Sequence, residues 1–220
     1  MKFWNRVRII TDKSNLRFAA GYRSMFEFYG QNVLLLTVHT EEELRKAFQE
    51  PCSDFAVTML CCHGWGKTEE DAVLNWELQR RVNEIEWEPV EFHMTPQNVR
   101  DIAKTGHGIL LNVACWGAKQ SFADAFLAAG YQYYVAAEKT SDVFSAYQFV
   151  SAMVGYLLYE VRDYGKKEVS VPEAVEMARR IDDVWDGANG FRVYEKTIEP
   201  KVGQVSSEAA PSASPDEPST

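Results

Sequence analysis

Short, continuously apolar runs alternate with amphipathic helical segments along most of this 220-residue chain, and that alternation limits the possible folds. Apolar runs without polar residues at every second position are typical of strands buried on both faces. Helices between such strands act as crossovers, so the strands are predicted to be parallel. The apolar runs occupy residues 7–10, 33–38, 55–62, 108–114 and 133–136. We therefore expect an α/β fold, a three-layer sandwich with helices on both faces of a mostly parallel sheet.

The segments between the runs have helical spacing and helix-terminal signals. Thr40 and Glu43 have the spacing of a capping box, as do Ser170 and Glu173, and Thr95 with Pro96 is typical of a helix start. The predicted helices lie within residues 18–29, 40–48, 95–105, 122–129, 143–161 and 170–184, and residues 191–194 are predicted to form a closing strand.

Residues 71–94 do not follow this alternation of apolar runs and helical segments. Apolar and polar residues alternate around Leu74, Trp76 and Leu78, and again from Val90 to Met94. Alternation with a period of two is the pattern of a half-buried strand. We expect a small antiparallel hairpin inserted beside the main sheet.

Composition and charge restrict the class of partner. The net charge of −9 argues against a nucleic acid or an anionic membrane as the binding partner. No apolar run approaches the ~18 residues of a membrane span, and the N-terminus has no secretory signal. The four cysteines show no disulfide framework, so a reduced, cytoplasmic protein is expected. Residues 1–200 are predicted to form one domain, and the Ser-, Pro-, Ala- and Glu-rich residues 201–220 a disordered tail.

Two of the apolar runs end in residues that can carry chemistry, His63 and Cys115. Parallel strands deliver their carboxyl ends to one edge of a sheet, where open α/β proteins place their sites. A thiolate attacks carbonyl carbon, and an imidazole can take up its proton. The helix that follows Cys115 is expected to favour the thiolate through its N-terminus. The pair predicts acyl transfer, most simply hydrolysis of a peptide bond through a thioester.

Gly64 has a predicted role beside this pair. Because glycine has no side chain, its backbone N–H can approach a substrate oxygen closely. The N–H groups of Gly64 and Cys115 are the expected oxyanion hole. His63 then protonates the leaving amine. This chemistry requires no cofactor and no metal.

A resemblance to a known family rests on these residues and their surroundings. The run Cys62-His63-Gly64, the run Leu110-Leu111-Asn112-Val113-Ala114-Cys115, and residues 122–131 with the Val-Ala strand after them resemble the CHAT family. These are caspase-like cysteine peptidases of the clan that also holds caspases, gingipains and separase. A strand-His-Gly followed about fifty residues later by Ala-Cys is the caspase arrangement. The resemblance covers residues 55–177 and implies a caspase-like fold, a Cys–His dyad with no obligatory third acid, and a polypeptide substrate.

The specificity pocket departs from the relatives. Val113 stands where caspases have Gln and where metacaspase-like enzymes often have an acid. Glu138 and Asp142, in the loop after the fifth strand, are candidates to bind a basic P1 side chain, whereas Lys139 in the same loop would suit an acidic one. A third interpretation makes all three solvated loop charges. Trp65 and Trp116 follow the two strand ends and either line the substrate groove or seal the sheet edge.

Other functions stay open at this point. One is a catalytically inactive caspase-like interaction module, and another is a glutaminase-type amidase, although such enzymes usually have a late histidine and none follows His107. A zinc site made of Cys61, Cys62, His63 and Cys115 is disfavoured because neighbouring side chains on a strand alternate in direction. Regulation is expected from a partner chain or from proteolytic cutting within residues 71–94.

Overall fold

The computed structural model describes residues 6–50, 53–140, 142–158, 169–183 and 190–197. Within them the elements are β1 (Arg6–Thr11), α1 (Leu16–Phe28), β2 (Asn32–Thr37), α2 (Glu41–Gln49), β3 (Val57–Cys61), β4 (His63–Trp65), β5 (Val73–Arg81), β6 (Trp87–Met94), α3 (Pro96–Ile102), β7 (Ile109–Asn112), α4 (Gln120–Ala128), β8 (Tyr133–Ala137), α5 (Val143–Leu158), α6 (Val171–Asp183) and β9 (Phe191–Glu195).

The main sheet has the strand order β2-β1-β3-β7-β8-β9. Its first five strands are mutually parallel, and β9 is antiparallel to β8. The mostly parallel sheet predicted from the apolar runs is therefore confirmed. Strands β3 and β7 are direct neighbours, with Leu60 opposite Asn112, so the two strands chosen from the sequence do end side by side.

Helices cover both faces of the main sheet, as the sequence predicted. Ile10, Leu60 and Leu110 belong to the core on the face of α2, α3 and α4. Ile9, Met59 and Leu111 belong to the core on the face of α1, α5 and α6. Cys61 and Cys62 lie in different cores, which confirms that adjacent residues of the third run point to opposite faces.

A second sheet with the order β4-β5-β6 lies beside the first. Strands β5 and β6 form the predicted antiparallel hairpin. The third strand, β4, was not predicted: His63 begins a strand of this small sheet and is not the tip of the central strand. Beyond Cys61 the neighbours β1 and β7 have ended, so the chain loses its partners in the main sheet and pairs with β5 instead.

Helix caps follow the sequence signals. The Thr40 and Thr95 hydroxyls each accept from the backbone N–H three residues later, at 3.2 and 3.3 Å. Strand β7 ends at Asn112, two residues before the predicted boundary, because the chain turns there. The predicted end of the long helix at Val161 and the predicted tail 201–220 fall outside the described residues. No helix in the described ranges is both long and apolar enough to cross a membrane.

Candidate active site

His63 and Cys115 are brought together by a backbone contact between Gly64 and Cys115. A Cβ placed on Gly64 would overlap the Cys115 carbonyl oxygen and would lie 2.8 Å from its carbonyl carbon and 3.0 Å from its amide nitrogen. No real Cβ tolerates such distances to backbone, so only glycine permits this approach. The small sheet therefore supplies the histidine and the main sheet supplies the cysteine, at the carboxyl edge of the main sheet.

The turn that carries Cys115 contains a strained residue. Trp116 has φ 57°, in the left-handed region that non-glycine residues rarely adopt. Its N–H donates to the Lys139 carbonyl at 3.1 Å, and the Lys119 ammonium lies 5.6 Å from its ring centroid. Strain of this kind costs about 1–3 kcal/mol and persists only where the surroundings enforce it. The turn that presents the thiol is thus held in a fixed shape.

Two buried polar side chains enforce that shape. Asn112 accepts from the Ala114 N–H at 3.0 Å and donates to the Tyr134 hydroxyl at 2.9 Å. Tyr134 in turn donates to the Gly117 carbonyl at 2.7 Å. Burial raises the pKa of Tyr134, so its hydroxyl keeps the proton that this bond requires. The backbone on both sides of Cys115 is therefore hydrogen-bonded to buried side chains of the main sheet.

The thiols near the site differ in accessibility. Cys61 and Cys62 are buried, whereas Cys115 is partly exposed. Burial, and then the nearby Asp12 carboxylate, raise the pKa of both buried thiols, so they stay protonated and unreactive at neutral pH. Within the described ranges no three His, Cys, Asp or Glu side chains are grouped closely enough to hold a metal ion.

His63 is half-exposed, and two polar groups approach its Nε2. The Ser14 hydroxyl oxygen lies 3.5 Å from Nε2 and the Glu77 carboxylate oxygen 3.7 Å. The positions of Ser14 and Glu77 both depend on Asp12, which is fully buried at the end of β1. Asp12 accepts from the Ser14 hydroxyl at 2.8 Å and from the Glu77 N–H at 3.1 Å. One buried carboxylate thus ties the end of the main sheet to the strand beside the imidazole.

The expected helix N-terminus next to Cys115 is not available, which corrects the sequence-based expectation. Helix α4 begins at Gln120, five residues after the thiol. The Gln120 and Ser121 N–H groups donate to the Glu69 carboxylate at 2.9 and 3.2 Å. A negative charge from the β4–β5 connection therefore occupies the positive end of the helix dipole.

The four residues predicted to bind substrate differ in their exposure and in their present partners. Trp65 is exposed, and Trp116 is partly exposed. Glu138 forms an ion pair with Arg192 of β9. Asp142 accepts from the Ser145 N–H and hydroxyl, both at 2.9 Å, at the start of α5. A P1 role for either carboxylate requires an exchange of these partners for a substrate.

Sequence reasoning missed Asp12, Ser14, Glu77 and Asn112. Asp12 had a visible signal, since it follows the end of the first strand at the same sheet edge as the other candidates, and Ser14 lies two residues further on. Asn112 had a visible signal, since it is the polar residue at the end of an otherwise apolar strand. No sequence signal pointed to Glu77, because only the pairing of His63 with Asn75 places Glu77 beside the imidazole.

Comparisons with known proteins support the fold. No family model and no curated protein sequence matches the chain. A chain of the Saccharomyces cerevisiae separase–securin complex resembles it with a TM-score of 0.51 and 13% sequence identity. The match covers 87% of this chain and 12% of that chain. At this identity the likeness concerns the fold alone, and it agrees with the caspase-like fold expected from the sequence.

Proposed function

We propose that this protein is a cysteine peptidase that uses Cys115 as nucleophile and His63 as general base and acid. The contact of Gly64 with the Cys115 backbone carries the proposal, because it brings β4 against the turn that follows β7. The partial exposure of Cys115 and the half-exposed imidazole leave both groups open to a substrate. The caspase-like fold supports the same class of enzyme.

The reaction follows from these groups. The thiol proton passes to His63, and the sulfur forms a bond to the peptide carbonyl carbon. The N–H groups of Gly64 and Cys115 stabilise the oxyanion, a contribution of about 3–4 kcal/mol per donor in comparable sites. The imidazolium protonates the amine as the C–N bond breaks, which leaves a thioester. Water then loses a proton to His63, adds to the thioester and breaks the C–S bond.

A peptidyl electrophile tests the dyad. We expect the intact protein to be labelled at Cys115, and Cys115→Ala to lose both labelling and peptide cleavage. His63→Ala should slow cleavage by a factor of about 10²–10⁴. Cys62→Ala is the matched control, because its thiol is buried and should not be labelled. Cleavage that survives Cys115→Ala would overturn the proposal, and a stable protein without labelling or cleavage would make it an inactive binding module.

For specificity we propose a basic P1 residue, bound by Glu138. The observation that favours it is the Arg192 guanidinium, which already occupies this carboxylate as a P1 arginine would. Asp142, a hydrogen-bond acceptor at the start of α5, is proposed to help bind the same P1 side chain. Trp65 and Trp116 are proposed as walls of the substrate groove. A P1-scanned peptide library should favour Arg and Lys. Glu138→Gln should reduce that preference, whereas a preference for acidic P1 would point to Lys139.

Control by a partner chain or by a cut within residues 71–94 is part of the proposal. The similar separase chain was solved in a complex with securin. The tip of the β5–β6 hairpin is exposed, with Ile85 91% accessible. Activity should therefore change when the tip is cut by limited proteolysis or when a partner binds. Full activity of the isolated, uncut chain would exclude this mode of control.

A further inference from the structure

The imidazole of His63 is approached at one nitrogen by two side-chain oxygens. Ser14 Oγ lies 3.5 Å from Nε2, and Glu77 Oε1 lies 3.7 Å from the same atom. A neutral imidazole carries its proton on one nitrogen and uses the other as a base. Which nitrogen is the base depends on whether Ser14 and Glu77 accept or donate.

Ser14 has no proton to offer to the ring. Its hydroxyl donates to Asp12 Oδ1 at 2.8 Å, and an ionised carboxylate can only accept. The Asn15 amide is compatible with this direction, because Nδ2 donates to Asp12 Oδ1 at 3.0 Å and to one lone pair of Ser14 Oγ at 3.1 Å. Ser14 Oγ is left with a lone pair for His63. A ring hydrogen on Nε2 is the arrangement that uses this lone pair.

Asp12 holds its position without the help of His63. It is fully buried and also accepts from the Asn15 N–H at 3.0 Å and the Glu77 N–H at 3.1 Å. The second of these bonds fixes the backbone of Glu77 in β5. The same carboxylate thus orients the serine and places the Glu77 side chain, which is again an acceptor.

We propose that Ser14 and Glu77, anchored by Asp12, are positioning residues that hold His63 in its Nε2–H tautomer. Nδ1 is then the nitrogen that exchanges protons with Cys115 and the substrate. Glu77 also stabilises the imidazolium once it forms, although its side chain is 53% exposed and such pairs are individually weak. The proposal rests on the proposed function, and it adds two polar residues to a dyad that needs no third acid in its simplest form.

The small sheet contains a matched control. Glu91 on β6 lies directly opposite Glu77 and forms its own pair with a histidine, His93 Nε2, at 3.2 Å. Both carboxylates belong to exposed Glu–His pairs of one sheet, but only Glu77 is beside His63. Substitution of Glu91 therefore removes the same charge one strand further from His63 and keeps the Ser14, Asp12 and Glu77 side chains in place.

The tautomer can be observed directly by NMR of the full chain labelled with ¹⁵N-histidine, with the His63 signals assigned by His63→Gln. We expect the Nε2–H tautomer for His63 in the unaltered protein and a mixture of tautomers in the double variant Ser14→Ala/Glu77→Gln. Glu91→Gln should alter the signals of His93 alone. An Nδ1–H tautomer in the unaltered protein, or no change in the double variant, would overturn the proposal.

A kinetic measurement complements the spectrum. We expect kcat to fall by about tenfold in each single variant and about a hundredfold in the double variant, with KM unchanged. The combined loss then reaches the lower end of the factor of about 10²–10⁴ that a positioned general base contributes. In a His63→Ala background Glu77→Gln should have no further effect. Peptide cleavage with an unaffected tautomer would reject only this inference, whereas the expected tautomer without cleavage would reject only the peptidase.

Discussion

Gly64 leaves no space for a side chain, and the atoms that fill this space belong to the backbone of Cys115. A flexible side chain could move aside, but a carbonyl group in a fixed turn cannot. The separation between the backbones that carry His63 and Cys115 is therefore set by main-chain contact. Single-residue changes here test the site more sharply than changes to exposed charges.

Replacement of Gly64 by alanine should separate β4 from the turn that carries Cys115. We expect a loss of about 1–3 kcal/mol in the free energy of unfolding. A displacement of about 1 Å in such a site can cost 10²-fold, so kcat/KM should fall by about that factor. Chemical denaturation and peptide hydrolysis measure the two effects.

Gly21→Ala is the control for this substitution. Its Cβ would meet only the Tyr147 ring, at 3.8 Å, which is ordinary contact. Since Gly21 lies inside α1, alanine there should raise the free energy of unfolding by about 0.5–1 kcal/mol and leave hydrolysis unchanged. Equal behaviour of the two variants would show that Gly64 has no special packing role.

Tyr134→Phe should loosen the turn of Cys115. It removes the acceptor of the Asn112 amide and the donor to the Gly117 carbonyl, both in a buried setting. The expected destabilisation is about 1–3 kcal/mol, together with slower hydrolysis. Tyr194→Phe removes a bond to the Ala118 carbonyl in a partly buried place, where water can substitute, so its effect should be smaller. A larger destabilisation by Tyr194→Phe than by Tyr134→Phe would contradict this account.

At the scale of elements, long helices and apolar strands were predictable because their periodicity is local. Strand β4 was not, since three residues have no periodicity and their pairing is decided by β5. The cap of α4 was hidden for a similar reason: Glu69 lies 51 residues from Gln120 in sequence. The sequence identified His63, Gly64 and Cys115 as candidates, whereas the Asp12 network depends on contacts up to 65 residues apart.

Glu69→Gln tests the cap of α4. Partial burial opposes ionisation of Glu69, but hydrogen bonds from Gln120 and Ser121 outweigh it and lower the pKa of the carboxyl. A carboxyl with a lowered folded-state pKa stabilises the protein above its unfolded pKa and loses this effect as the pH falls through the folded value. At pH 7 we expect a loss of about 0.3–1 kcal/mol, which shrinks as the pH falls below the ordinary glutamate pKa of about 4.3 and vanishes only below the lower folded-state pKa.

The pH dependence is measured by urea denaturation at several pH values. Glu70→Gln provides the same charge change at the exposed neighbouring residue. A loss of stability for Glu69→Gln that stays constant down to acidic pH would show that packing, and not charge, is responsible.

At the scale of the whole molecule, the small sheet is not an independent unit. Leu74, Trp76 and Leu78 lie in the same core as Phe122 and Phe126 of α4. Elements that share one core unfold together in small domains. The histidine and the cysteine should therefore be lost in the same transition, although they belong to different sheets.

Leu78→Ala tests this coupling. Truncation of a buried leucine should lower the free energy of unfolding by about 2–5 kcal/mol. In urea, hydrolysis and far-ultraviolet circular dichroism should then report the same midpoint. Hydrolysis that disappears at a lower urea concentration than the helical signal would show that the small sheet detaches first.

The pairing of β5 with β6 determines whether the two fragments stay together after one peptide bond is cut at the hairpin tip. Leu74, Trp76 and Leu78 face Met94, Phe92 and Val90 across the ladder, whereas the residues from Gln79 to Pro89 are exposed or partly exposed. A cut between Val82 and Glu86 leaves every buried pair intact, with His63 on one fragment and Cys115 on the other. The nicked protein should elute as one particle in gel filtration and separate into two fragments only under denaturing conditions.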